Sequence, residues 1–128
     1  MDVFKADYKD HSNDGVEYIL IDPVTREPFG IEDADGKVTQ VFKMRLLSIS
    51  APAVKSADRL FKKLHPSRTW AEEESKDYRK ALCVAACVGW EGSEVAFDQE
   101  AAKKLFDVDW IAAKVFAFIL DGDRFLSA

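Results

Sequence analysis

Two thiols and two imidazoles are the groups in this sequence best suited to do chemistry. Cys83 and Cys87 lie four apart, so a helix would put both on one face. Such a pair could begin a metal site or, with His65, form a cysteine–histidine nucleophile. The spacing argues against a metal, because Cys83-x3-Cys87 is not zinc-ribbon spacing and His11 and His65 lie far off in sequence. The stretch from Ala81 to Val88 is apolar throughout, and no positive charge flanks either thiol to lower its pKa. Both therefore read as buried structural cysteines, packing as small hydrophobes. The six glycines are isolated and form no phosphate-binding pattern. No catalytic residue, metal or cofactor is expected, and the chain is expected not to be an enzyme.

Bases cluster at Arg59, Lys62, Lys63, His65 and Arg68. This is a possible nucleic-acid surface, but no recognisable reading motif accompanies it and the chain carries net charge −5. A solvated helix face is the favoured reading over a small DNA-binding regulator, so no nucleic-acid partner is expected. Arg59, Lys62 and Lys63 are kept as candidates for a protein interface. The other candidates come from the last helix, Trp110 to Leu120, in which only Lys114 is polar. Trp110, Lys114, Phe116 and Phe118, with Phe125 in the tail, offer more apolar surface than one small core plainly needs. Either this helix is central to the core or part of it meets a partner. It is too short to span a bilayer, which takes about 20 apolar residues, so no membrane role is expected. The start at Met1 has no secretory pattern, and two cysteines make no disulfide framework, so a reducing cytoplasm is the expected location.

The elements that must position these groups can be read from periodicity and punctuation. Residues 1–15 read as a flexible leader and 16–128 as a single domain. Glu17–Ile21 and Val38–Ile49 read as strands, separated by turns at Asp22-Pro23, Glu27-Pro28-Phe29-Gly30 and Asp33-Ala34-Asp35-Gly36. Pro52 opens a helix to about Leu64. Thr69 and Glu72 suggest a capping box for a second helix, Trp70 to about Val88, with Gly89 at its C′ position. Asp98 caps a short helix through Phe106, and Asp107 or Asp109 caps the last one. The predicted fold is mainly α with a small N-terminal antiparallel β ribbon, an α+β chain of three to four helices. Its core should centre on Leu82, Val84, Ala85, Val88, Trp90, Ile111, Val115, Phe116 and Ile119.

Charge is zoned along the chain. Residues 1–37 carry net −6, residues 38–80 net +5 and residues 81–128 net −4. An acidic, basic, acidic order suits contacts between unlike surfaces of neighbouring copies, giving an arc or a ring.

Three stretches in order also carry a family resemblance. Asp22-Pro23-Val24-Thr25-Arg26-Glu27-Pro28-Phe29-Gly30 follows a D-P-x-T-G-E-P-x-G turn, departing at Arg26, where glycine is usual. Gly89-Trp90-Glu91-Gly92 follows a G-W-x-G turn, and Phe97-Asp98-Gln99-Glu100-Ala101 follows an F-[ST/D]-x-E-A segment. A loosely matched stretch from Leu46 to Asp58 and a terminal Phe125 extend the likeness over roughly residues 17–126. In these the chain resembles the tail assembly chaperones of lambda-like long-tailed bacteriophages. The resemblance implies a protein that binds the tape measure protein and keeps it soluble and extended before the tail tube polymerises. It also implies self-association, action in the host cytoplasm and absence from the mature virion. Many such chaperones have a longer, frameshifted form that recruits tail tube subunits, and this chain looks like the short form. The alternative is a structural virion protein of the tail or the head–tail junction.

Overall fold

The computed structural model describes residues 2–127. It is a mixed α+β fold, so the expectation of a mainly α chain holds only in part. Among the described residues four helices pack against antiparallel strands that are not confined to the N-terminus.

The central sheet has three strands in the order β2 (Val16–Ile19), β5 (Lys43–Leu46) and β6 (Cys87–Glu91), all antiparallel. β5 alternates cleanly: Met44 and Leu46 are buried while Arg45 is exposed, as a half-buried strand requires. A hairpin of β3 (Gly30–Glu32) and β4 (Val38–Val41) stands beside this sheet. Its turn is held by Asp33, whose carboxylate accepts from the N–H groups of Asp35 and Lys37, each at 2.9 Å. The expected single strand from Val38 to Ile49 is thus two strands in two sheets. They part at Phe42, whose N–H donates to the Phe29 carbonyl at 2.8 Å.

Helix α1 runs Pro52–Leu64, with proline at its first position as expected. Helix α2 runs Glu72–Ala86 and differs from expectation at both ends. Its N-cap is Ala71, not Thr69, and Glu74 reaches back to accept the Ala71 N–H at 3.4 Å. The last turn stops at Ala86 because its carbonyl is taken by the Leu47 N–H at 2.8 Å, and the chain continues directly into β6. Gly89 is therefore a sheet residue opposite Arg45, and Val88, expected in the core, is 46% exposed. Helix α3 (Gln99–Leu105) is capped as predicted: the Asp98 carboxylate accepts the Ala101 N–H at 2.7 Å. Helix α4 (Asp109–Leu120) begins without a side-chain cap, at Val108 and not at Asp107 or Asp109.

The end of the expected flexible leader is tied down. Lys9–Asp10 forms β1, paired antiparallel with β7, Leu126–Ser127. The His11 N–H donates to the Phe125 carbonyl at 2.7 Å, and the Ser12 carbonyl accepts from Ser48 N–H at 3.1 Å. One hydrophobic cluster joins Met44 and Leu46 of the sheet, Val54 of α1, Leu82, Cys83 and Ala86 of α2, Phe106, and Val115 and Ile119 of α4. Of the expected core, Leu82, Ile111, Val115 and Ile119 are buried, while Val84, Ala85, Trp90 and Phe116 are half-buried against it.

Candidate protein-interaction site

An open groove of about 760 Å³ runs between the β3–β4 hairpin, the end of β6 and helices α3 and α4. Its floor is Leu20, Phe42 and Ile111, all buried in the core. Its sides are Phe29 and Ile31 from the hairpin, Trp90 from β6 and Leu105 from α3. At the mouth Val95 and Val108 are 61% and 41% exposed. Glu32, Glu94 and Lys104 supply the charges. An apolar concavity with a few polar groups at its edge is the usual form of a binding site.

Local chemistry holds the walls in place. The Trp90 indole N–H donates to the Val95 carbonyl at 2.9 Å, fixing both the ring and the loop after β6. Phe42 and Phe97 pack edge-on to the same indole at 5.6 and 5.0 Å. Two glycines let backbones meet. A Cβ at Gly30 would lie 2.2 Å from the Gln40 carbonyl oxygen, and one at Gly92 would lie 2.0 Å from that of Val41.

One or two residues from each of the three stretches quoted for the resemblance line the groove: Phe29 and Gly30, Trp90 and Gly92, and Ala101. Arg26, where the sequence departs from the pattern, has φ 64°. In that left-handed region glycine is the least strained residue.

The residues singled out from sequence do not assemble into one surface. Trp110 is half-buried with its ring 6.0 Å from Phe29, behind the groove wall. Lys114 is exposed on α4, and Phe116 packs toward Tyr78 at 6.1 Å. Phe118 is half-buried between Tyr18 and Phe125, at 4.8 and 5.5 Å. Phe125 is fully buried, so its placement at an interface is corrected: it is core, brought in by the 3-10 turn Gly122–Phe125. On α1, Arg59, Lys62 and Lys63 are exposed as expected for a solvated face. Lys62 is engaged by Asp58 at 3.1 Å. Burial pushes the Asp58 carboxyl up, but hydrogen bonds from Tyr78 and Lys62 outweigh this and hold its pKa below the ordinary value. Sequence reasoning missed Ile31, Val95, Leu105 and Val108 as groove residues. The only available signal was two valines left in polar connectors on either side of α3.

The cysteines are placed as packing groups. Cys83 and Cys87 are buried free thiols, and the Cys83 thiol donates to the Ala112 carbonyl at 3.4 Å. Burial pushes Cys83 up to about 12, with the Cys87 thiol adding to the shift and Arg79 opposing it, and burial pushes Cys87 up to about 11. A raised thiol pKa favours the neutral form in the folded chain, so its stabilising contribution is full below the ordinary value of 9.0 and fades as pH rises toward these values. Alkylation by iodoacetamide at pH 8 should be slower in the native chain than in denaturant by roughly 100-fold or more, since the thiolate is the nucleophile. Equal rates in the two states would contradict this placement. Among the described residues no group of three or more His, Cys, Asp or Glu could hold a metal ion, and no helix is long and apolar enough to cross a membrane.

Comparisons with protein-family models, with curated proteins and with solved structures return no match.

Proposed function

We propose that this chain is a bacteriophage tail assembly chaperone of the short-form kind, acting by binding and not by catalysis. It would bind the tape measure protein and keep it soluble and extended until tail tube subunits polymerise around it. The observation that supports the reading is that Phe29 and Gly30, Trp90 and Gly92, and Ala101, from the three stretches quoted for the resemblance, line one apolar groove. Short stretches spread along the chain share a pattern with that family and also share a place in the fold.

The groove suits the task. An amphipathic helix docks by laying apolar side chains into a hydrophobic groove. Val95, Val108, Phe29 and Ile31 offer such a surface, and the mixed charges of Glu32, Glu94 and Lys104 offer polar contacts at the edge. One groove of this size gives a weak contact, so coating a long helical rod needs several copies joined by unlike surfaces. In this reading the work is done in the host cytoplasm, and the chain leaves before the virion is complete. A longer frameshifted form would share the fold and bring tail tube protein to the same complex.

Co-expression with the tape measure protein of the same phage tests the proposal. The tape measure protein should stay soluble and co-purify with the wild-type chain. A Val95→Glu, Val108→Glu double variant should melt like wild type yet leave the tape measure protein in the pellet, because both positions are exposed. The proposal fails if the tape measure protein is equally insoluble with and without the wild-type chain. Recovery of the chain from purified virions would point instead to a structural protein of the tail or the head–tail junction.

A further inference from the structure

The pairing of β1 with β7 sets Lys9 and Asp10 opposite Ser127 and Leu126 and brings three polar side chains together. The residue after β1 is His11, whose N–H donates to the Phe125 carbonyl at 2.7 Å. Its ring reaches β7, where the His11 Nε2 and the Ser127 Oγ are hydrogen-bonded at 2.6 Å. The His11 carbonyl closes a turn, accepting the N–H groups of Asp14 at 3.2 Å and Gly15 at 2.9 Å. The Asp14 carboxylate then stands 3.9 Å from Nδ1, the other ring nitrogen. The neighbouring acid, Asp10, is engaged by the N–H and the hydroxyl of Ser12.

A hydroxyl, an imidazole and a carboxylate in that order can activate the hydroxyl as a nucleophile. A neutral imidazole carries one proton, on either nitrogen. The Asp14 charge beside Nδ1 favours the proton there, which leaves the Nε2 lone pair to accept from Ser127. The Asp14 side chain is 79% exposed, so its hold is modest and serves to choose the tautomer. Ser127 also lines a hollow of about 340 Å³ with Tyr8, Leu126 and Asp123. Tyr8 and Leu126, 43% and 44% exposed, offer apolar contact, and Asp123 adds a negative charge. Such room beside a nucleophile suits a short neutral acyl group and disfavours an anionic one.

We propose that Ser127 is an acyl-acceptor site, with His11 as its general base and Asp14 positioning His11, and that its donor is an activated ester of a short neutral acyl group. Ser127 Oγ attacks the acyl carbon while His11 Nε2 takes the hydroxyl proton. The tetrahedral adduct collapses, the bond from the acyl carbon to the leaving oxygen breaks, and that oxygen takes the proton from His11. Ser127 ends as an ester, the donor leaves as a free alcohol, and His11 is neutral again; nothing is oxidised or reduced. One acyl group is taken per chain, so this is a modification site and not a turnover. It shares no residue with the groove and does not depend on what the groove binds.

Reaction with p-nitrophenyl acetate at neutral pH tests it. The readouts are nitrophenol released per chain and the mass of the tryptic peptide that follows Arg124, in which Ser127 carries the hydroxyl. The native chain should gain one acetyl group there, roughly 100-fold or more faster than the same serine in the urea-denatured chain, as a positioned general base supplies. Ser127→Ala should lose the label, and His11→Gln should slow it to the denatured rate. Asp14→Asn should slow it several-fold, and Asp14→Glu should restore most of the loss. The half-ester p-nitrophenyl hydrogen glutarate, which carries a carboxylate, should react several-fold more slowly than the acetate. Circular dichroism melts confirm that each variant folds, and the native-against-denatured comparison needs no variant. No acetyl group on Ser127, a native rate equal to the denatured one, His11→Gln or Asp14→Asn labelled as fast as wild type, or glutarate reacting as fast as acetate would each overturn the proposal.

Discussion

Gly92→Ala should be among the most damaging single substitutions in this chain, costing roughly 2–5 kcal/mol. Two independent penalties add. Gly92 has φ +80°, where an L-residue costs about 1–2 kcal/mol. The added methyl would also lie 2.0 Å from the Val41 carbonyl oxygen, 2.5 Å from its carbonyl carbon and 2.8 Å from the Phe42 Cα. These are backbone atoms at the junction of β4 and β5 and cannot rotate away, so an overpacking cost of about 1–3 kcal/mol applies. Against a typical total stability of about 5–15 kcal/mol, the sum is a large share. Gly89→Ala is the control. It sits three residues earlier in the same motif, yet a Cβ there meets nothing within 4 Å. Chemical denaturation should therefore separate the two variants sharply. Equal midpoints would mean that β6 does not approach the β4–β5 junction as described. The groove should fail with Gly92, because Trp90 and Val95 on either side of it form its wall.

What could be read from sequence was local. Pro52 at a helix start, Asp98 as an N-cap and the Asp33–Gly36 turn are set by residues within a few positions of one another, and each stands where it was expected. The end of α2 was not legible. The run from Ala81 to Val88 is apolar on every side, so it carries neither helix nor strand periodicity. The switch at Cys87 is decided by β5, whose Leu46 pairs with Cys87 and whose neighbour Leu47 takes the last helical carbonyl, about forty residues earlier in the chain. Nothing near Cys87 encodes that. The ordering of Lys9 and Asp10 was hidden in the same way, because their partners, Leu126 and Ser127, lie at the other end of the chain.

The groove was hidden for a related reason. It takes single residues from β3, β6, α3 and the connectors around them, so no window of sequence contains it. The motif stretches pointed to three of its parts without relating them in space. For helix α4 the sequence left two readings open, core or interface. In the structure Phe116 and Phe118 are half-buried, packed toward Tyr78 and toward Tyr18 and Phe125 of the same chain. Burial all round a helix and exposure at an interface leave the same trace in composition.

Phe125→Ala should separate those two origins and should cost roughly 3–5 kcal/mol, the usual range for removing a buried phenylalanine. The side chain has no exposed surface and packs edge-on to Phe118 at 5.5 Å, so its loss leaves a cavity against α4. The damage should spread to both ends of the chain. The Phe125 carbonyl accepts the His11 N–H at 2.7 Å, and the next two residues form the β1–β7 pair. Loosening the 3-10 turn therefore frees Lys9 and Asp10 as well. The melting temperature should fall by roughly 10 °C or more for a loss of this size. Amide exchange at His11 should speed up at temperatures where the rest of the fold survives. An interface phenylalanine would give the reverse pattern: an unchanged melt and unchanged exchange at His11. That result would return Phe125 to the surface and detach the C-terminal turn from the core.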